Sequence, residues 1–315
     1  MTNALFDALL ARLQDTDATV RRIAVLDLAD LDGEAHVPLL IQALDDPEAS
    51  VRAEAARALE AFESPASVQN LARLLSDTDE EVRAAAAQSL SELKQPASAA
   101  YLVPYIGGSE SFVRAAALRG VRELRVAASL APALDALGDA DPLVRREAVA
   151  VLGYLKHPEA LPALTRILAD DASFEVRRAA AGALGYADGA QVGPALLAAL
   201  KDGAWQVREE AATTLGKLRL AHTPGALVAA LDDPFWQVRL RAARSLGRLR
   251  SHDALPGLMA ALEHTISNLR KEAALALGEI GAPAALGALQ AAANDPDPEV
   301  RKSVRLAIGQ IGAAA

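Results

Sequence analysis

Apolar and polar positions along this chain follow two nested periods. The shorter one is helical. In residues 143–155, Val144, Ala148, Val149, Leu152 and Leu155 fall at i, i+4, i+5, i+8 and i+11, one apolar stripe on an α-helix. Just upstream, residues 131–137 (APALDAL) carry a shorter stripe of the same spacing. Between the two lies Gly138-Asp139-Ala140-Asp141-Pro142, a run of helix breakers. The pattern predicts a short helix, a tight turn and a longer helix running back against the first.

The longer period repeats this plan. A Val-Arg dipeptide, once Leu-Arg, places Arg21, Arg52, Arg83, Arg114, Arg145, Arg177, Arg208, Arg239, Arg270 and Arg301 at a spacing of 31 residues. One step is 32, with Ala169 as the extra residue. The spacing predicts an all-α solenoid of ten two-helix repeats over residues 1–315, a single array in which each unit packs on its neighbours. Below, the first helix of each unit is A and the second B. Pro38, Pro162, Pro194 and Pro256 are expected in the first turn of their A helices, where a missing N–H costs nothing.

Other positions recur in register. Six residues before the repeat Arg stands an Asp in eight of ten units: Asp15, Asp46, Asp77, Asp139, Asp171, Asp202, Asp233 and Asp295. A carboxylate and a guanidinium at fixed offset predict a ladder of turn-bracing hydrogen bonds and ion pairs between units, not catalysis. Gly153, Gly185, Gly216, Gly247, Gly278 and Gly309 share one position late in helix B. Glycine inside a helix costs about 0.5–1 kcal/mol relative to Ala, so its recurrence predicts close helix–helix approach. It is no phosphate loop, since no strand precedes it. The end units read as caps: Lys302, Ser303, Val304 and Arg305 make the last B helix more polar, and Ile23, Val25 and Leu26 set the first apart.

Composition narrows the function. Aromatics are only 3% of residues and Cys is absent, which excludes disulfides, thiolate metal sites and a Cys nucleophile and suits the cytoplasm. Residues 1–13 read as an amphipathic helix without a basic head or cleavage site, and no apolar run is long enough to cross a membrane. His36, His157, His222, His252 and His264 show no metal-ligand spacing, so no metal is expected. The formal net charge is −9, but residues 1–100 hold 8 Lys+Arg against 18 Asp+Glu, while residues 141–250 hold 15 against 12. That balance argues against nucleic acid as the partner.

Blocks such as Asp233-Pro234-Phe235-Trp236-Gln237-Val238-Arg239, followed by Ala242-Ala243-Arg244-Ser245-Leu246-Gly247, resemble the HEAT-like repeats of the phycobilisome-lyase type; so does Asp295-Pro296-Asp297-Pro298-Glu299-Val300-Arg301. The resemblance covers essentially the whole chain. It implies a solenoid whose B helices line a concave groove, and a role among bilin lyase subunits, phycobilisome-degradation factors or binding proteins. Deoxyhypusine hydroxylases, built on similar repeats, hold iron through His-Glu dipeptides, and none of the five histidines here precedes a Glu. The HEAT-like DNA glycosylases use Trp, Asp and Arg on a basic face, which an acidic chain does not match.

On that groove, the position three before the repeat Arg holds Phe174, Trp205 and Trp236 in three consecutive units, with Phe235 beside the last. Units stack about 10 Å apart, so these aromatics are expected to form a ladder. Arg146, Tyr154, Arg178, Tyr186, Arg241, Arg244 and Arg248 lie along the same helices, the last three at i, i+3 and i+7 on one face. Trp, Tyr and Arg are the residues that dominate binding hot spots. The alternatives are plain: aromatics that plug seams between units, and arginines that are solvated with their stems covering apolar surface. The expected function is a non-enzymatic scaffold whose concave face, in repeats five to eight, holds an acidic or amphipathic protein segment without a cofactor. The alternatives are a lyase or chaperone-like subunit holding an anionic tetrapyrrole, with Arg on the propionates and Trp on the ring, and an adaptor working through its convex face. The oligomeric state is not legible from the sequence.

Overall fold

The computed structural model describes residues 3–31, 33–220 and 223–314, so His222 lies outside it. Among the described residues every regular element is helical. The chain divides into two compact units, residues 1–155 and 156–315, each holding five of the repeats.

In the first unit the B helices are Ala18–Ala29, Ala49–Ala58, Glu80–Ser91, Ser111–Arg122 and Pro142–Leu155. Their A partners are Asn3–Leu13, Val37–Ala43, Pro65–Leu74 and Leu130–Ala136. Repeat four departs from the expected helix pair. Its A segment is two 3-10 stretches, Pro96–Tyr101 and Val103–Gly107. Pro104 has no N–H to continue a helix, and Gly107 and Gly108 follow at once. In the second unit the B helices are Phe174–Ala183, Trp205–Leu218, Trp236–Arg248, Ser267–Ile280 and Pro298–Ala314, and the A helices are Leu161–Asp170, Gly189–Ala199, Pro224–Ala229, Leu255–Ala261 and Leu286–Ala291. The extra residue, Ala169, is taken up by a longer A helix in repeat six and is exposed there.

Pro38, Pro162 and Pro256 sit in the first turn, as expected, but Pro194 does not. It lies inside its helix, because Asp188 accepts the Ala190 N–H and starts the helix upstream at Gly189. The apolar stripes form the core: Val144, Ala148, Val149 and Leu152 are fully buried, and equivalent Val, Ala and Leu residues are buried in every other B helix. Within each unit the B helices pack on one another more extensively than the A helices do.

The predicted ladder joins neighbouring repeats. Arg52 donates from Nε and an Nη to both oxygens of Asp77, at 2.9 and 2.8 Å. The same fork closes Arg21 on Asp46, Arg114 on Asp139, Arg177 on Asp202, Arg208 on Asp233 and Arg270 on Asp295, each spanning 25 residues. The remaining Nη of Arg52 binds the carbonyl of Asp46 in its own turn, and Asp46 accepts the Glu48 N–H. One guanidinium therefore braces its own turn and grips the next. Two seams lack the carboxylate. Gly108 leaves Arg83 lying over the Phe112 ring at 5.7 Å. His264 keeps the turn, its Nδ1 accepting the Ile266 N–H at 3.0 Å, but offers no charge to Arg239, which turns back to the Asp233 carbonyl.

Glycine fits the close approach that its recurrence predicts. A Cβ on Gly247 would stand 2.8 Å from the Ala276 Cα, one on Gly278 2.8 Å from the Ala307 Cα, and one on Gly216 2.8 Å from the Ser245 Cα. Ser245 also donates across that seam to the Ala212 carbonyl at 2.8 Å, as Ser89 does to Ala56 in the first unit. At Gly309, in the last helix, a Cβ would meet nothing. The B helices of several repeats end on a left-handed residue eleven places after the repeat Arg: Arg125, Lys156, Arg219, Arg250 and Gly281. A side chain in that conformation costs roughly 1–2 kcal/mol, and all four non-glycines there are basic. Cations at a helix C-terminus recover part of the cost. At the ends, Lys302 and Arg305 face solvent, Ser303 is buried on the Glu299 carbonyl, and Ile23, Leu26 and Leu306 leave apolar surface exposed.

Two outcomes follow from the seams. Gly216→Ala forces a Cβ into the neighbouring backbone and is expected to lower the melting temperature, whereas Gly309→Ala, in open space, raises stability by about 0.5–1 kcal/mol; thermal melts of the two variants compare them. The carboxylates set an acid limit. Burial pushes Asp233 up, but the Arg208 hydrogen bonds and the Phe235 amide outweigh it and hold the group below the usual carboxylate range. At Asp139 and Asp295 the arginine hydrogen bonds are themselves the largest influence. A depressed folded value stabilises the fold above the unfolded pKa, near 3.9, and that contribution is lost as pH falls through the folded value. The melting temperature should therefore change little from this source between pH 7 and about 5 and fall below about 4. Asp202→Asn with Asp233→Asn should flatten that acid limb in circular dichroism melts.

Candidate functional site

The sequence-predicted residues lie on the B helices or at their ends. In the second unit Trp205 and Trp236 each open a B helix, at the turn that Asp202 and Asp233 brace. Asp233 accepts the Phe235 N–H, which fixes Phe235 beside the previous repeat. There its ring stacks on Trp205, centroids 5.7 Å apart and planes at 16°, with the Arg208 guanidinium above it at 5.7 Å. The aromatic contact is therefore Trp205 with Phe235, and Trp236 turns elsewhere. Phe174 opens the B helix of repeat six and is exposed, as Phe235 is.

Trp236 lines a recess of ≈ 280 Å³ with Glu209, Gln237, Leu240, Arg241, Arg244, Asn268, Lys271 and Glu272. Two of the predicted arginines are held here by carboxylates of the same chain. Arg244 donates to both oxygens of Glu272 at 2.8 and 2.6 Å, and Arg241 donates to Glu209 at 3.0 Å. Glu272 is 5% exposed while the Arg244 side chain is 39% exposed, so the pair is half-buried. The hydrogen bonds to Glu272 raise the Arg244 pKa further. Lys271 completes the cationic side without an ion pair of its own among the described residues. The Oε1 of Gln237 is buried with no hydrogen-bond partner. An orphaned acceptor, an indole and an ammonium without an ion pair thus meet in one recess.

The other predicted residues are spread. Arg178 is exposed and reaches Glu210 only at 4.0 Å. Burial raises Glu210 above the usual carboxylate range despite the nearby Arg178. Tyr186 donates to the His157 carbonyl at 3.1 Å, a structural bond, and burial raises its pKa. Arg248 is exposed at the far end of the repeat-eight helix. In the first unit Arg146 meets Glu147 at 3.2 Å, and Arg119 meets the same carboxylate at 3.3 Å. Tyr154 is exposed between the guanidiniums of Arg122 and Arg125, at 5.5 and 5.6 Å. Among the described residues no cluster of His, Asp and Glu could hold a metal ion, and no helix is long and apolar enough to cross a membrane.

Sequence reasoning missed the glutamates that occupy the arginines. A signal was present: Arg119–Glu147 and Arg244–Glu272 share an offset of 28 residues, three short of the repeat, which puts the glutamate one unit on and one turn lower. It also missed Gln237 and Lys271, although Gln206 and Lys302 stand at the equivalent positions of adjoining repeats.

The sequence profile of HEAT repeats matches residues 6–91, 37–122, 108–185, 167–227 and 223–309, and the chain belongs to the HEAT-repeat proteins. No curated protein matches it. Among solved structures it is similar to an engineered protein, 22% identical over 97% of this chain and 98% of that one, with a TM-score of 0.51. It is also similar to Kap95p in complex with RanGDP, 16% identical over 98% of this chain and 51% of that one, with a TM-score of 0.71. The karyopherin Kap121p, bound to the extreme C-terminus of the phosphatase Cdc14p, is 15% identical over 99% of this chain and 42% of that one, with a TM-score of 0.65. The chain thus spans about half the length, or less, of those two karyopherins. At these identities the likeness establishes the α-solenoid fold.

The ring stack separates the two tryptophans. Trp205→Ala removes the partner of Phe235 and is expected to cost about 1–3 kcal/mol of stability, the pair contributing about 0.5–1.5 kcal/mol of it beyond the buried area. Trp236→Ala, at the mouth of an open recess, should cost less than about 1 kcal/mol. Denaturant unfolding of both variants tests the order; a larger loss at Trp236 would make that residue a structural plug.

Proposed function

We propose that this protein is a non-enzymatic scaffold that holds a protein segment on the B-helix face of its second unit. The observation that carries the reading is the recess around Trp236, where the Gln237 Oε1 is buried without a donor and Lys271 lacks a carboxylate. A peptide brings what the recess lacks: backbone N–H groups for Gln237, an apolar side chain for the indole and a carboxylate for Lys271. The segment is amphipathic or acidic and the partner is a protein. Phe174, Phe235, Arg178, Arg248 and Tyr186 extend the same face in repeats six to eight, and Arg146 and Tyr154 present a similar surface in the first unit. Kap121p, with the same fold, holds the C-terminus of Cdc14p, and that precedent supports a protein segment as occupant.

The finer kinship, to HEAT-like repeats of the phycobilisome-lyase type, rests on the Asp-Pro-x-x-x-Val-Arg blocks. The reading requires no cofactor. The tetrapyrrole alternative uses Arg241 and Arg244 on propionates, and Glu209 and Glu272 already occupy those guanidiniums. The absence of Cys suits the cytoplasm as the place of action.

Affinity capture with the full chain, followed by mass spectrometry, should yield a protein that Trp236→Ala binds at least about thirtyfold more weakly, a loss of roughly 2 kcal/mol. Unchanged affinity in that variant removes the recess from the interface. A tetrapyrrole whose absorption band shifts on mixing with the chain would favour the chromophore alternative.

A further inference from the structure

The repeat-eight helix has a second recess at its other end. Arg219, Gly247, Arg248, Leu249, Arg250 and Glu279 line a volume of ≈ 560 Å³ where three successive B helices finish. Arg219, Arg248 and Arg250 are exposed. Among the described residues no carboxylate lies within ion-pairing distance of any of them. That contrasts with the Trp236 recess, whose two arginines are each neutralised. Arg219 and Arg250 hold their side chains from left-handed backbone, at φ 53° and 50°, although the next repeat places Gly281 at the equivalent position. A helix end needs only one cation to meet its dipole, yet here three guanidiniums converge on one cleft in a chain of net charge −9.

We propose that Arg219, Arg248 and Arg250 form an oxyanion recess that takes the acidic side chains of a bound protein segment. Guanidiniums bind carboxylates through paired N–H donors, and the volume admits two adjacent acidic groups. Glu279 closes the far side with a negative charge. It accepts a hydrogen bond from the segment's backbone N–H, a donor that a phosphodiester backbone does not present, so the recess selects peptide over nucleic acid. The proposal deepens the scaffold reading by naming the partner's chemistry. Trp236 in one recess and Arg248 in the other stand about 18 Å apart along one helix, twelve residue steps. That distance matches five or six residues of extended chain.

The test uses a fluorescein-labelled hexaglutamate peptide and anisotropy at low ionic strength. Arg219→Gly and Arg250→Gly keep the left-handed backbone while removing the guanidiniums, and Arg248→Gln changes an exposed last-turn residue. The full chain should bind hexaglutamate and not hexaglutamine. The triple variant should bind at least tenfold more weakly with its melting temperature kept, and Arg248→Gln alone at least threefold more weakly. Arg166→Gln, an exposed cation outside both recesses, should bind the probe as the unaltered chain does, and the aromatic recess is tested separately by partner capture with Trp236→Ala, so the two failures give different results. No binding of hexaglutamate, equal binding by the triple variant, or displacement of the peptide by an oligothymidylate of equal charge would each overturn the proposal.

Discussion

One contact carries the architecture: the forked bond from a repeat arginine to the aspartate 25 residues on. Its geometry is closed on three sides. The guanidinium binds its own turn, the aspartate binds its own helix start, and the two bind each other. Spacing, helix entry angle and the seam between repeats are thereby set by a single pair of side chains. Because charged groups that leave water must find partners in good geometry, any shift of one repeat against the next breaks several bonds together. The hydrophobic stripe supplies most of the attraction, and the fork supplies the register.

The functional face inherits its form from that register. The turn that presents Asp233 to Arg208 also delivers Phe235 to Trp205 and starts the helix on which Trp236, Arg241, Arg244 and Arg248 stand. Scaffold and surface are thus one structure, with the bracing residues a few positions from the exposed ones. The glutamates at 209 and 272 complete the pattern by tying the inner arginines across repeats. They convert what sequence composition suggests as a basic surface into a paired one. Free cationic character survives at Lys271 and at the helix ends.

The fold was legible because its signals are periodic. Each repeat restates the stripe, the Arg and the Asp, so ten weak local patterns reinforce one another. The failures lie where a local feature interrupts the period. Pro194 was placed one turn wrong because Asp188 supplies an earlier start, and repeat four lost its α-helix to Pro104 and two glycines. The site was only partly legible for a related reason. Which ring faces Trp205, and which carboxylate holds Arg244, depend on contacts between units, and a helical phase assigns a face without assigning a neighbour. Arg219 and Arg250 went unnoticed because nothing in a sequence marks a basic residue as left-handed.

The two seams without an aspartate, at Gly108 and His264, differ from the rest in how they resist force. In a stack where each repeat touches only its neighbours, the weakest joint decides where the chain yields. At both joints other bonds stand in for the fork: Glu63 accepts from Ser98 and from the Lys94 and Gln95 amides between repeats three and four, and Arg244 holds Glu272 between repeats eight and nine. Each of these joints is thus tied away from its turn and left open at it. Bending strain would part the turn first and leave the rest of the joint closed.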